Sequence, residues 1–231
     1  MKILALDTSS QRGSVAIFEG NTSFDARLKG YASYEAYNEH AERLLGLLDL
    51  VYEQAGMGKN EVDRIAVGVG PGSFTGVRVA LAVAQGLMVG LGVEGVGIGS
   101  LRVIAAGLGS EDPRTRLVVR DARRDEYFVA AYSAVGEELV APYTIEQKGA
   151  SDYLLSKYEN TFSDGYVVVG TALNGLPCVE TEQTREPDAR AAGLLAFGLD
   201  PQLDVVQPHY VRGPNVIRPD LPPSPLLLTR S

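Results

Sequence analysis

KILALDTSSQRGSVAIFE, residues 2–19, contains two apolar runs separated by a short polar turn. Residues 2–7 are apolar up to Asp7, as expected of a central strand, and residues 14–18 form the next strand. A second turn then leads to a third predicted strand at residues 22–28. The chain therefore begins with three antiparallel strands joined by hairpins.

The residues that follow alternate between helical and strand patterns. Helical spacing is found at residues 34–55 and 75–91, and buried strands are predicted at residues 64–69 and 93–98. The order is β-β-β-α-β-α-β, with hairpins first and right-handed crossovers after them. This order predicts an α/β fold with a five-stranded mixed sheet, as in ribonuclease-H-like domains.

The second half of the chain partly repeats the first. Each half has a strand ending in Asp, a polar turn and a second strand, followed later by an apolar strand ending in Gly. The paired stretches are 4–7 with 118–121, 14–18 with 127–132, and 65–68 with 167–170. Two lobes with a trimmed second copy are favoured, although any two α/β lobes share such patterns.

Composition divides the chain into three parts. We predict a first ribonuclease-H-like lobe at residues 1–100, joined by part of the C-terminal segment, and a reduced second lobe at 101–199. Seven of the twelve prolines fall in the C-terminal segment, residues 200–231. Prolines exclude a regular helix in residues 220–231, which are either a docked extended tail or disordered.

Charge and cysteine content narrow the classes of function. The net charge of −8 disfavours binding of bulk nucleic acid or anionic membrane over the whole surface. The single cysteine, Cys178, fits a reducing compartment. The longest apolar run, residues 79–93, is shorter than the ~20 residues of a membrane helix. A cytoplasmic protein without a membrane contact is expected.

Aspartates end the first strand of each predicted lobe. Asp7 is followed by Thr8 and Ser9, and Asp121 occupies the equivalent place in the second lobe. A strand-end carboxylate beside a hydroxylated turn can face the Mg²⁺ and phosphates of a nucleotide. The alternative is a turn in which these side chains hydrogen-bond to their own backbone, and for the tripeptide alone this alternative is favoured. These four residues are candidates for a vestigial phosphate loop.

The most distinctive stretch is GPGSFTGVR, residues 70–78. Its glycines allow a tight turn from strand to helix, and the helix N-terminus can hold an anion. A structural turn with a good N-cap is the strong alternative, because no Gly-Lys-Ser/Thr follows as in a P-loop. His40 has Arg43 and Leu44 at the positions where a second metal ligand would stand, so no metal site is predicted.

The two predicted helices of the first lobe carry more apolar surface than one sheet can cover. The helix at 34–55 has an apolar stripe, and the helix at 75–91 is apolar nearly all round. Such a helix is either buried under the second lobe or lies between its own sheet and a partner. The residues predicted to bind a partner are His40, Leu44, Leu47, Leu48, Val51, Arg78, Ala82 and Gly86.

These motifs together resemble the TsaB (YeaZ) family. The resemblance rests on residues 3–9, His40, residues 70–78 and 84–87, Asp121-Ala122-Arg123 and Tyr210-Val211-Arg212. It covers nearly the whole chain, and PGSFTGVR is highly specific to the family. The resemblance implies membership of the acetate kinase/sugar kinase/Hsp70/actin superfamily, and hence two similar lobes.

The resemblance also implies a function. Family members support synthesis of N6-threonylcarbamoyladenosine at position 37 of tRNAs that read ANN codons. The catalytic relative TsaD binds a metal through an HxxxH pair, which would fall on Ser100 and Ile104 here. The resemblance therefore implies a non-catalytic paralogue that binds TsaD. The second lobe is short, which argues against a complete nucleotide-binding site between the lobes.

The implied partners are a TsaD-type catalytic paralogue and a TsaE-type ATPase, with a homodimer when the chain is alone. Contact with tRNA is expected only through the complex. No cofactor is expected for this subunit, because ATP and a metal belong to the partner complex. The alternative is a free-standing ATPase or kinase that uses Asp7 and Asp121 around a magnesium nucleotide.

Overall fold

The first half of the chain forms a mixed sheet with the strand order β3-β2-β1-β4-β5. Its elements are β1 Lys2–Asp7, β2 Arg12–Glu19, β3 Arg27–Glu35, α1 His40–Ala55, β4 Arg64–Gly70, α2 Phe74–Leu91 and β5 Glu94–Gly99. β1, β2 and β3 pair antiparallel, and β1, β4 and β5 pair parallel. The computed structural model describes residues 1–35, 40–109, 111–163, 165–201 and 205–211. The predicted ribonuclease-H-like sheet is confirmed.

The third strand starts later than the sequence predicts. It spans Arg27–Glu35 instead of residues 22–28. The Asp25 carboxylate accepts hydrogen bonds from the backbone N–H and the hydroxyl of Thr22, at 2.6 and 2.8 Å, and closes a turn there. The strand is thereby moved toward α1, which begins at His40. Residues 36–39, which we predicted to be helical, lie outside the described part of the chain.

The second lobe repeats the first four strands of the first. Its elements are β6 Thr115–Arg123, β7 Glu126–Tyr132, β8 Glu138–Glu146, α4 Ala150–Tyr158 and β9 Tyr166–Gly170. The strand order β8-β7-β6-β9 matches β3-β2-β1-β4. Where a fifth strand would pair, the described residues give only a single bridge between Val168 and Cys178. The predicted internal repeat, with a reduced second copy, is confirmed.

Helices separate and cover the two sheets. The first sheet packs on α1 and α2 through one face, and on α3 (Ser100–Ala106) and α6 (Ala189–Leu195) through the other. α3 also packs on the second sheet, whose outer face is covered by α4. A short helix α5, Glu182–Arg185, precedes α6. The core thus runs through both lobes, with α3 between them.

The chain returns to the first lobe near its end. α6 packs on β1 and β2, although the sequence grouped its residues with the second lobe. The small side chains of Ala189 and Ala192 in α6, and of Ala196 just after it, lie against that sheet without any exposed surface. The lobe boundaries at 100/101 and 199/200 therefore stay predictions, and the contacts of α6 favour a return to the first lobe earlier than residue 200.

Residues 205–211, here called the C-terminal strap, lie along α2 and against β4 and β5. The backbone N–H of His209 donates to the carbonyl of Val69 at 2.8 Å, and Gln85 Nε2 donates to the carbonyl of Val206 at 3.3 Å. Val206 and His209 thus hydrogen-bond to the first lobe, and the assignment of the C-terminal segment to that lobe stays a prediction. The predicted tail at residues 220–231 lies outside the described residues.

Candidate functional site

A buried polar network lies where β1 ends, between the two sheets. Asp7, Thr8, Ser9 and Ser100 have no exposed surface. Asp7 Oδ1 accepts hydrogen bonds from the backbone N–H and the hydroxyl of Ser9, both at 2.7 Å. The hydroxyl of Ser100, the first residue of α3, donates to Ser9 Oγ at 2.8 Å. The first turn of the protein is therefore hydrogen-bonded to its own side chains and to α3.

The glycine-rich loop before α2 packs directly on this turn. Ser73 N–H donates to the carbonyl of Ser9 at 2.7 Å, and Thr8 Oγ1 donates to the carbonyl of Gly76 at 2.7 Å. A side chain at Gly76 would overlap the carbonyl oxygen of Thr8, and one at Gly72 would overlap that of Ser9. Ser73 caps α2 by accepting from Gly76 N–H. The distinctive motif thus builds a close backbone contact, which supports the structural interpretation of these glycines.

Arg120 joins the second lobe to this network. Its guanidinium donates to the carbonyl of Ser9 at 3.0 Å and to that of Pro71 at 3.1 Å, and lies 3.4 Å from the Glu186 carboxylate. Only 8% of Arg120 is exposed. The sequence groups Arg120 with four other arginines between residues 114 and 124, and the acidic residues among them favour a solvated edge over a phosphate contact. The burial of Arg120 corrects that expectation. The feature of the sequence that could have indicated this burial is strand alternation, which places Arg120 on the same side of β6 as the buried Val118.

Asp121 does not lie with the other phosphate-loop candidates, which corrects that prediction. Its carboxylate is exposed and accepts from Arg123 N–H at 2.6 Å and from Gln147 Nε2 at 3.2 Å. Successive residues of a strand face opposite sides of the sheet. Because Arg120 faces α3, Asp121 faces the side of α4. The structure brings together Asp7, Thr8, Ser9 and Arg120.

The electrostatic setting of Asp7 is that of a buried carboxyl. Burial raises the pKa of Asp7 above its ordinary value, although the hydrogen bonds from Ser9 and the charge of Arg120 oppose the shift. Asp7 Oδ2 has no hydrogen-bond partner among the described residues, and it lies against Gly68. The described residues contain no cluster of three His, Cys, Asp or Glu side chains that could hold a metal ion. Burial of this kind favours the neutral form of the carboxyl.

We therefore expect Asp7→Asn to be at least as stable as the wild type at pH 7. The folded state raises the pKa of Asp7, so the wild type loses stability as the pH rises above the ordinary value of 3.8. The amide keeps the oxygen that accepts from Ser9 and removes the buried charge. Urea unfolding at pH 4 and pH 7 measures both free energies. A variant that loses stability relative to the wild type between pH 4 and pH 7 would show that Asp7 acts as an ion.

A second feature is the open face of α2. Ala82, Gly86 and Gly90 are exposed, and no atom lies within 4 Å of a side chain added at Gly86 or Gly90. Val89 is 86% exposed. The opposite face packs in the core. α2 is the one helix among the described residues with the length and apolar composition of a membrane span, a test that core helices also pass.

The contribution of α1 differs from the prediction. Leu44, Leu48 and Val51 are core residues between α1 and the sheet, so they cannot present a surface to a partner. Leu47 is half-buried against the same core. The large apolar side chains that α1 exposes are Leu45, which lies in the predicted apolar stripe, and Leu50, which lies outside it. Neither was among the residues predicted to bind a partner. α1 starts at His40, whose side chain lies outside the description.

Arg78 lies at the start of the open face, in a cluster with two aromatic residues. Its guanidinium carbon is 3.6 Å from the centre of the Phe74 ring, and its Nε donates to the Tyr210 hydroxyl at 3.2 Å. Phe74 and Tyr210 are each about half exposed. Of the predicted partner residues, Arg78, Ala82 and Gly86 thus share one exposed face. The sequence did not indicate Phe74 as a partner residue, because the residues around it have the pattern of a turn.

Comparisons with known proteins agree on one family. The sequence model of tRNA N6-adenosine threonylcarbamoyltransferase (TsaD) matches residues 17–154, more than half of the chain. The TsaB proteins of Escherichia coli and Haemophilus influenzae are 34% and 32% identical over 134 and 154 residues, or 57% and 66% of this chain. The solved structure of YeaZ from Pseudomonas aeruginosa has 25% identity and a TM-score of 0.67 over 90% of this chain.

The extent of the match differs between these relatives. The aligned region spans 55% and 58% of the two TsaB proteins, slightly more than half of their length. It spans 99% of the Pseudomonas chain. Both lobes described above are therefore part of the structural match. The chain belongs to the tRNA N6-adenosine threonylcarbamoyltransferase family, in its TsaB (YeaZ) branch.

Proposed function

We propose that this protein is a non-catalytic scaffold subunit in the synthesis of N6-threonylcarbamoyladenosine at position 37 of ANN-decoding tRNAs. It binds a TsaD-type catalytic paralogue through the open face of α2, and a TsaE-type ATPase joins the complex. The protein is cytoplasmic, and tRNA reaches it only through the complex. Both curated relatives are named as proteins of tRNA threonylcarbamoyladenosine biosynthesis, which supports this pathway.

The observation that carries the proposal is the open face of α2. A helix face with two glycines and an alanine allows another helix to approach closely, and Val89 supplies apolar area. The match to a TsaD family model supports a partner with a homologous lobe. Homologous lobes can meet about a pseudo-two-fold axis as a four-helix bundle. A second copy of this chain would compete for the same face.

The positions that correspond to the metal-binding pair of TsaD support a non-catalytic role. Ser100 donates its hydroxyl proton to Ser9, and Ile104 lies in the apolar core between α3 and the second sheet. Neither side chain is a ligand of the histidine type. A free-standing ATPase is the weaker candidate, because Arg120 fills the space between the lobes beside Asp7 and Asp121 faces away.

A reconstitution with omissions tests the proposal. We expect the purified chain alone, supplied with threonylcarbamoyl-adenylate and tRNA, to produce no modified nucleoside. Addition of the catalytic paralogue and the ATPase subunit should restore production, and omission of this chain should remove it again. Mass spectrometry of digested tRNA measures the product. Turnover by the isolated chain that is lost in Asp7→Ala would overturn the non-catalytic assignment.

A further inference from the structure

We propose that the Phe74–Arg78–Tyr210 cluster is the anchor of the α2 docking face and receives a carboxylate from the partner helix. The C-terminal strap is part of this anchor, because it supplies Tyr210. The inference rests on the proposed function, since the partner is the TsaD-type paralogue. It assigns a binding role to a segment more than a hundred residues away from α2 in the chain.

Arg78 is held in place from two sides. Its guanidinium stacks on the Phe74 ring at 3.6 Å, and its Nε donates to the Tyr210 hydroxyl. The Phe74 and Tyr210 rings lie 5.9 Å apart. A side chain fixed before binding loses less conformational entropy when the partner arrives. Arginine and tyrosine are also the residue types that carry much of the binding energy in interfaces.

The charge on Arg78 defines the chemistry of the partner. Arg78 is the only charged residue of α2. Among the described residues, no carboxylate forms an ion pair with Arg78, and the hydrogen bond that its guanidinium makes there is the one from Nε to Tyr210. A guanidinium on an apolar face favours a carboxylate that it can bind through two parallel hydrogen bonds. We therefore expect a Glu or Asp on the partner helix opposite Arg78.

The position of Tyr210 depends on glycines of β5. A side chain at Gly97 would overlap the carbonyl oxygen of Val205, and one at Gly95 would lie 3.2 Å from a methyl group of Val206. The bare strand thus leaves room for the strap. The hydrogen bond from His209 to Val69 then fixes the residue before Tyr210. The docking of the strap and the shape of the anchor are coupled through backbone contacts.

Titration calorimetry with the catalytic paralogue tests the anchor. We expect Tyr210→Ala to weaken binding about 10-fold or more, and Tyr210→Phe to weaken it only a few-fold because the ring remains. Gly97→Ala should weaken binding like Tyr210→Ala and raise hydrogen exchange in residues 205–211. Gly198→Ala is the matched control, because Gly198 is exposed with no atom within 4 Å of an added side chain.

Salt dependence tests the carboxylate. Raising the salt from about 0.05 M to about 0.5 M should weaken binding of the wild type more than that of Arg78→Met, which keeps the length of the stem. Equal salt dependence of the two proteins would overturn the inference that Arg78 binds a carboxylate of the partner. Tyr210→Ala with wild-type affinity, while Gly86→Glu does not bind, would overturn the anchor and leave the proposed function standing. Wild-type affinity of Gly86→Glu would instead overturn the docking face itself.

Discussion

Gly86→Glu is expected to leave the protein folded and to abolish its self-association. Gly86 is exposed, and no atom lies within 4 Å of a side chain added there, so the monomer accommodates glutamate. In a helix pair that approaches closely at this point, the carboxylate would be buried without a partner. Such a charge costs about 3–5 kcal/mol, which weakens association by at least about 100-fold. Sedimentation equilibrium measures the dimer, and thermal unfolding shows that the variant is folded.

The control for this variant is Gly198→Glu. Gly198 is also exposed and open, and it follows α6 on the opposite side of the first sheet. It adds the same charge to the protein, so a general effect of net charge would appear in both variants. A dimer that persists in Gly86→Glu places the self-association surface elsewhere. Loss of the dimer in both variants would point to long-range repulsion.

Gly76→Ala is expected to destabilise the protein by about 3 kcal/mol, near the upper end of the usual cost of overpacking. The new methyl group would overlap the carbonyl oxygen of Thr8, and this carbonyl is part of the backbone, so it cannot rotate away as a side chain could. The hydrogen bond from Thr8 Oγ1 to the Gly76 carbonyl ties the two segments together further. Urea unfolding, with the midpoint and slope fitted together, measures the loss.

A second glycine of the same helix is the matched control for Gly76→Ala. Gly86→Ala adds the same methyl group in open space, and alanine favours the helix over glycine by about 0.5–1 kcal/mol. We therefore expect opposite signs for the two substitutions. Equal stability of both variants would mean that the loop does not press on Thr8, and that the motif serves something other than packing.

The sequence predicted the fold because local and repeated patterns agreed. Apolar strands, hairpin turns and the repeat between the lobes all indicated the same sheet. The third strand was misplaced because the Asp25 turn is a side-chain interaction that periodicity does not show. The ribonuclease-H-like topology could therefore be predicted from the sequence, whereas the boundaries of β3 could not.

The candidate site was harder to predict for two physical reasons. Neighbouring residues of a strand face opposite sides of the sheet. The residue of β6 that faces the interlobe network is therefore Arg120, and the adjacent Asp121, which the sequence repeat had paired with Asp7, faces the other side. An apolar stripe on a helix usually faces the core of its own domain and not a partner. Leu44, Leu48 and Val51 lie on such a stripe and are core residues. The small residues of α2 were more informative, because small side chains on an exposed face are not needed for the core.

The most direct measurement is a calorimetric titration of the TsaD-type paralogue into the wild type and into Gly86→Glu. We expect the wild type to bind one partner per chain, and the folded Gly86→Glu variant to give no measurable heat. Binding of the folded variant with the affinity of the wild type would contradict the assignment of the α2 face as the partner surface.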